Sequence, residues 1–292
     1  MNCKEWAHPI EKYDLAQVQI DEYLNEGIIE RSELQFASNI VIVDREKARK
    51  PGAVQRVCVC LDARALNKYL YSPQNKTPNI EILRYRISGS KVFTRLDIRN
   101  AFLTLPLFKE HQKLTAFRYK GALYQYTRVP FGLVSSMAIF INTMYEAFAK
   151  LEDCVLTYID DVIIFSQTVE EHYEHLERVL RKISQIGITL NLQKSEFVIP
   201  EMKFVGYIIN QHGIKPNPKK AELVRTIQPP RCPKDIKRFL GITNYFMNHM
   251  PNYNSHAVIL DNLTKKKTPW QWTDIEQGAF DAIKQSLSEE IL

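Results

Sequence analysis

Two adjacent aspartates interrupt the apolar run LTYIDDVIIFS at residues 156–166. Burying one ionised carboxylate without a partner is strongly unfavourable, and burying two neighbours is worse. Neighbours on a strand point to opposite faces, so Asp160 and Asp161 can serve one site only if the chain turns there. The flanks CVLTYI and VIIFS both read as strands, which predicts a hairpin with Asp-Asp at its tip. Taken alone, such a tip is an ordinary solvated turn.

A third carboxylate changes that reading. Asp97 also ends an apolar strand, within VFTRLDIRNAFLTLPL, where Phe93, Arg95 and Asp97 share one face and Val92, Thr94 and Leu96 the other. Asp97 and the Asp160–Asp161 pair each emerge where a strand gives way to a turn, which lets them converge at one sheet edge. Three carboxylates together require a cation. Oxygen ligands without histidine or cysteine favour Mg²⁺ over zinc. Two such ions, about 3.5–4 Å apart, are a device for in-line phosphoryl or nucleotidyl transfer.

The rest of the chain limits the alternatives. Its 292 residues suffice for one large domain or two smaller ones. The 39 Lys plus Arg against 33 Asp plus Glu leave a net charge of +6, compatible with a polyanionic partner without requiring one. Five cysteines occur with no C-x-x-C or zinc spacing, which reads as reduced thiols in a reducing compartment. Cys58 and Cys60 alternate within VCVCLD and so face the same side of a strand. No secretory pattern appears, and no apolar run reaches the roughly 18–20 residues of a membrane span.

Periodicity predicts a helix from an Asp14 cap to Asn25 and a hairpin of strands 37–44 and 57–62 around the basic tip REKARKPGAVQR. It also predicts a short helix from near Pro78 and a hairpin turning at Lys120-Gly121. A helix over 135–151 is apolar on all sides and therefore buried; an amphipathic one over 169–187 runs through Leu176, Val179, Leu180 and Ile183. Strands are expected at 188–192 and 202–210, a linker at 212–220, and helices at 219–227, 233–249 and 274–287. The composition suggests a mixed α/β (α+β) body with a helical appendage.

Eight segments, YIDDVIIFS, VFTRLDIRNAFLTLPL, LTAFRYKGALYQYTRVPFGL, CLDARALNK, ITLNLQKSEF, KFVGYIIN, GIKPNPKKAELV and FLGITNYF, occur in the order and spacing of a reverse transcriptase. The chain resembles those of gypsy-type long-terminal-repeat retrotransposons from about Leu24 to its end. The resemblance implies a right-hand polymerase with fingers, palm and thumb and an antiparallel palm sheet backed by helices. Fingers and palm would occupy 1–210 (fingers about 1–91 and 111–134, palm about 92–110 and 135–210), the thumb 211–263, and a connection 264–292. Asp97, Asp160 and Asp161 fall on the family's metal-binding aspartates, with the Ile98 carbonyl as a further ligand. Phe102 matches the bulky residue under the sugar, which leaves no room for a 2′-hydroxyl; without the resemblance it reads as a core aromatic. Phe131 and Gly132 match the nucleotide-pocket loop, and Asp62 and Arg64 the strand abutting the template base. Lys47, Arg49, Lys50 and Arg56 lie on the fingers hairpin, where cations would meet the triphosphate or form a solvated loop; Lys50 and Arg56 are the candidates taken forward. Phe204, Val205, Gly206 and Tyr207 match the hairpin positioning the primer end. Lys234, Lys237 and Arg238 lie on the thumb helix, where they would touch phosphates without reading sequence.

The chain also departs from the family. Cys58 stands where arginine is usual, Ala63 replaces a common aromatic, Ser135-Ser136-Met137 replaces Asn-Ala-Pro, and Met247-Asn248 replaces two arginines. WQWTDIEQGAFDAIKQSL matches the lead into a ribonuclease H domain, so the expected context is a longer Pol polyprotein. The expected activity is RNA-directed DNA polymerisation from dNTPs on a template–primer duplex, with two Mg²⁺ and Mn²⁺ as a possible substitute. No membrane partner is expected, and the expected location is intracellular: cytoplasmic virus-like particles or the nucleus. The rival readings are a remnant that keeps the fold and binds nucleic acid or a partner, and an RNA or repair polymerase on the same palm, against which Phe102 argues.

Overall fold

The computed structural model describes residues 6, 9–33, 37–44, 57–74, 80–87, 89–266 and 268–289. Its first element, α1 (Ile10–Asn25), starts earlier than the Asp14 cap: Pro9 stands at the N-cap, its carbonyl accepting from Lys12 and Tyr13 at 3.0 and 3.2 Å. Gly27, at φ +65°, ends it. β1 (Ile29–Arg31), β2 (Ile40–Asp44) and β3 (Val57–Leu61) follow. β2 and β3 form the expected antiparallel hairpin, with Ile40 opposite Leu61 and Asp44 opposite Val57. Its basic tip, with Lys47, Arg49, Lys50 and Arg56, lies outside the described residues.

α2 (Ile80–Ile87) is the helix expected near Pro78, which itself lies outside the described residues. β4 (Val92–Asp97), a 3₁₀ turn at Ala101–Thr104 and α3 (Lys109–Gln112) precede β5 (Phe117–Tyr119) and β6 (Ala122–Tyr126). The β5–β6 turn falls at Lys120-Gly121 as expected, both at positive φ. β1, β6 and β5 form an antiparallel sheet in that order.

α4 (Ser136–Phe148), β7 (Val155–Tyr158), β8 (Asp161–Ser166), α5 (Val169–Gln185) and β9 (Glu196–Ile199) complete a four-stranded sheet of order β7-β8-β4-β9. Its core joins Leu96 and Ile98 to Phe140, Met144 and Phe148 of α4, Val162 and Ile164 of β8, and Val179 and Ile183 of α5. Three expectations are corrected here. α4 is apolar all round yet not wholly buried: Met137, Ile139 and Tyr145 are exposed. Leu180 of α5 likewise faces outward. Residues 188–192 form no strand; one bridge pairs Leu190 with Ile98.

The chain divides into two compact units, Met1–Leu83, Thr94–Phe165 and Glu170–Phe197 in one, Arg84–Phe93, Ser166–Val169 and Val198–Leu292 in the other. The second contains an antiparallel meander of β10 (Glu201–Phe204), β11 (Tyr207–Asn210) and β12 (Gly213–Pro216). The strand expected at 202–210 is therefore two strands, and the linker expected at 212–220 contains a third. Helices α6 (Pro218–Arg225), α7 (Pro233–Thr243), α8 (Tyr253–Asn262) and α9 (Asp274–Glu289) follow, with a 3₁₀ turn at Asn244–His249. α8 had no clear sequence signal. Phe239 of α7 meets Phe280 of α9 with ring centroids 4.6 Å apart. Among the described residues, no helix is long and apolar enough to cross a membrane.

Candidate active site

The aspartate hairpin closes in the tightest possible way. Tyr158 pairs with Asp161, so Ile159 and Asp160 alone make the turn. Asp160 is exposed within it, and Asp161 opens β8 half-buried. Ile159 takes φ +54°, a left-handed conformation that a β-branched residue adopts only under constraint from its surroundings.

β4 brings the third aspartate alongside. β4 and β8 are neighbours in the sheet, and the Ile98 N–H donates to the Asp160 carbonyl at 3.3 Å. The Asp97 backbone is held on both sides by a distant segment. Its N–H donates to Ser195 Oγ at 3.1 Å, Ser195 Oγ donates to the Asn191 carbonyl at 2.9 Å, and the Asn191 N–H donates to the Asp97 carbonyl at 2.8 Å.

The charge of Asp97 acts on both carboxyls of the turn. Desolvation, then the charge of Asp97, raises the Asp160 carboxyl above its ordinary value. Asp161 is raised by burial; Arg95 works against that, while Asp97, Asp160 and Glu196 add to it. These neighbouring negative charges, with Arg95 among them, repel one another, and a dication drawing their oxygens together would relieve that repulsion. The donors are carboxylate and carbonyl oxygens without nitrogen or sulfur, a set that fits Mg²⁺. Of the charged neighbours, sequence reasoning placed Arg95 on the Asp97 face but gave it no role. Arg95 is ion-paired to Glu196 at 3.0 Å. The supports at Asn191, Ser195 and Glu196 had no local signal, being about a hundred residues from β4.

A second group of site residues meets around Leu61. Phe102 lies edge-on to Phe131 at 5.2 Å and to Phe140 at 5.9 Å. The Leu61 N–H donates to the Phe131 carbonyl at 3.1 Å. Gly132 sits at φ +111°, and a Cβ there would overlap the Leu61 carbonyl oxygen, so no other residue fits without displacing β3. Next along the chain, Asp62 accepts two bonds from the Arg64 guanidinium, at 2.9 and 3.0 Å, and a third from the Arg64 N–H at 3.3 Å. That hydrogen-bonded guanidinium holds the Asp62 carboxyl below its ordinary range. Arg64 is largely exposed and lies over the Trp6 ring at 5.2 Å.

The remaining candidates lie in the second unit. Val205 and Gly206 form a two-residue turn at φ +42° and +78°, between buried Phe204 and Tyr207. The Tyr207 hydroxyl donates to the Tyr245 carbonyl at 2.6 Å. Lys234, Lys237 and Arg238 are exposed on α7, while Ile236, Phe239 and Thr243 are buried. Spacing of three and four residues puts the cations on one helix face, as expected.

Comparison with known proteins identifies the family. Residues 48–209 match the family model described as reverse transcriptase (RNA-dependent DNA polymerase). The chain is 32% identical over 290 residues to the retrovirus-related Pol polyprotein from transposon opus of Drosophila melanogaster, covering 99% of this chain and 28% of the relative. It is also 32% identical over 287 residues to the Tf2-3 transposon polyprotein of Schizosaccharomyces pombe, covering 97% and 21%. The chain thus spans less than a third of these relatives. Among solved structures, the fold is similar to a foamy viral protease-reverse transcriptase in complex with double-stranded DNA, at TM-score 0.84 and 24% identity over 98% of this chain and 50% of the other. The same viral protein in complex with an RNA/DNA hybrid gives 0.75 at 24% identity, covering 98% and 38%. The matched model spans more than half of the chain and contains all three aspartates: this chain belongs to the reverse transcriptase (RNA-dependent DNA polymerase) family of nucleotidyltransferases.

Proposed function

We propose that the chain extends a primer with dNTPs on an RNA or DNA template, in the replication of a long-terminal-repeat retrotransposon. The observation that carries this reading is the placement of Asp97 at the end of β4 beside the Asp160-Asp161 turn, with the Ile98 N–H on the Asp160 carbonyl at 3.3 Å. Asp97, Asp160, Asp161 and the Ile98 carbonyl would hold two Mg²⁺, with Mn²⁺ as substitute. When bound, such a pair activates the primer 3′-hydroxyl and neutralises the leaving pyrophosphate. The protein's own contribution is position and charge rather than a covalent nucleophile.

Ser195 and Asn191 hold the Asp97 backbone at fixed height on β4. Phe102, held by Phe131 and Phe140, excludes a 2′-hydroxyl and selects deoxynucleotides. Phe131 and Gly132 line the nucleotide pocket; Asp62 and Arg64 border the template base; Lys50 and Arg56 meet the triphosphate. The turn from Phe204 to Tyr207 guides the primer end. Lys234, Lys237 and Arg238 grip phosphates, so binding weakens with salt. Fingers, palm and thumb would take the bounds stated above, with a ribonuclease H domain following in the parent polyprotein. The cytoplasm, within virus-like particles, or the nucleus is the working location.

The test is primer extension on RNA with Mg²⁺ and dNTPs, beside Asp160→Asn and Asp161→Asn. Extension by the parent and none by the variants supports the reading. A folded parent that binds template–primer without extending it favours a non-catalytic remnant instead, for which Cys58 and Met247-Asn248 are the motivating departures.

A further inference from the structure

β3 buries Val57, Val59 and Leu61 and leaves Cys58 and Cys60 half-buried on its opposite face. The two Sγ atoms lie 3.7 Å apart. Two thiolates on one tetrahedral zinc, each at about 2.3 Å from the ion, stand about 3.8 Å apart. The pair therefore needs almost no movement to grip one such ion. A disulfide fits less well: residues i and i+2 on a strand have Cα atoms about 6.7 Å apart, near the upper limit for bridged cysteines.

We propose that Cys58 and Cys60 form a two-thiolate site for a thiophilic cation of the zinc type, and that its occupancy restrains the Phe131–Gly132 loop through Leu61. Binding replaces two S–H bonds with two S–metal bonds and releases two protons to solvent, so it strengthens with pH and needs no oxidant. Solvent supplies the remaining ligands. Transmission follows from the local geometry. Leu61 succeeds Cys60, its N–H holds the Phe131 carbonyl at 3.1 Å, and its carbonyl closes on Gly132. A cation fixed on β3 therefore acts directly on that loop. The coupling rests on the polymerase reading; the binding does not.

Phenylarsine oxide is the probe, because it takes two neighbouring thiols and releases one water. Mass spectrometry of the full chain should show one adduct, removed by a dithiol but not by a monothiol, and prevented by prior Zn²⁺. Cys58→Ser and Cys60→Ser should each weaken labelling by about a hundredfold or more, since two-point attachment is lost. Cys3→Ser, Cys154→Ser and Cys232→Ser should label like the parent. Thermal melts check that the variants fold, and Cys58→Ala and Cys60→Ala stand in for any serine variant that does not. Labelling that survives both single substitutions, or that Zn²⁺ fails to block, overturns the site. The labelled chain should extend a primer more slowly; extension at the unlabelled rate overturns the coupling. If even the unlabelled chain fails to extend, the polymerase reading falls while the labelling result stands.

Discussion

Two two-residue hairpin turns, one in each unit, solve the same backbone problem differently. At Val205-Gly206 both central residues have positive φ, and glycine takes the second place, where it carries no steric penalty. The surface turn Lys120-Gly121 follows the same rule. At Ile159-Asp160 only isoleucine has positive φ, and there is no glycine. That turn carries a strained β-branched residue beside a carboxylate raised by its surroundings. Both turns hold a β-branched residue at positive φ, Ile159 at +54° and Val205 at +42°; what sets the first apart is that its second residue is a raised carboxylate rather than a glycine.

The largest expected effect breaks the comparison at its charge. Asp160→Asn or Asp161→Asn should reduce primer extension by more than about a hundredfold, while the metal-free variant melts above the parent at pH 7. The sign follows from both carboxyls being raised on folding. The folded chain then holds these protons more tightly than the unfolded chain, so stability declines as pH rises through the window between the two values. Scanning calorimetry without metal checks this; a lower melting point in both variants would contradict it.

Backbone conformation gives the next two effects. Gly132→Ala should cost about 2 kcal/mol or more in denaturant unfolding, from positive φ and overlap with Leu61. Val205→Asn creates Asn-Gly at a turn with both φ positive, and should stabilise by about 1 kcal/mol. Ile159→Asn should relax its turn by a similar amount yet slow extension, because Asp160 then loses its fixed position. Equal extension rates for Ile159→Asn and the parent would show that the strain is incidental.

The smallest effect lies behind β4. His172 is fully buried, with Nε2 2.7 Å from Thr94 Oγ1, and burial lowers it from an ordinary 6.5. The unfolded chain therefore takes up this proton first on acidification. Stability should decline as pH falls through about 6.5 and level off below the folded value. Urea unfolding at several pH values should show that slope in the parent and a shallower one in His172→Gln.

Much of this was legible locally. Alternation on β4 put Arg95 and Asp97 on one face, the apolar flanks of Asp160-Asp161 marked an inner hairpin, and the spacing of Lys234, Lys237 and Arg238 marked an exposed helix face. Each depends on a period of two or of three to four residues, which the chain carries within a short window. Local pattern misled where context overrode it. The β-like residues 188–192 pair with the end of β4 only at the Ile98–Leu190 bridge, because beyond it the Asp97 N–H turns to the Ser195 side chain rather than to a strand. Apolar α4 keeps Ile139 and Tyr145 exposed because its contacts with the sheet core run through Phe140, Met144 and Phe148.

By itself, then, the sequence singled out Asp97, Asp160 and Asp161, where the chain reverses around the adjacent pair, and to which family it belongs. Only the tertiary structure decided that Ser195 supports Asp97, that Glu196 pairs with Arg95, that His172 meets Thr94, and that Phe102 is held between Phe131 and Phe140. Those partners are brought together by the closing of the β7-β8-β4-β9 sheet and its helices. Such contacts depend on the whole core packing at once, and no window of neighbouring residues encodes them.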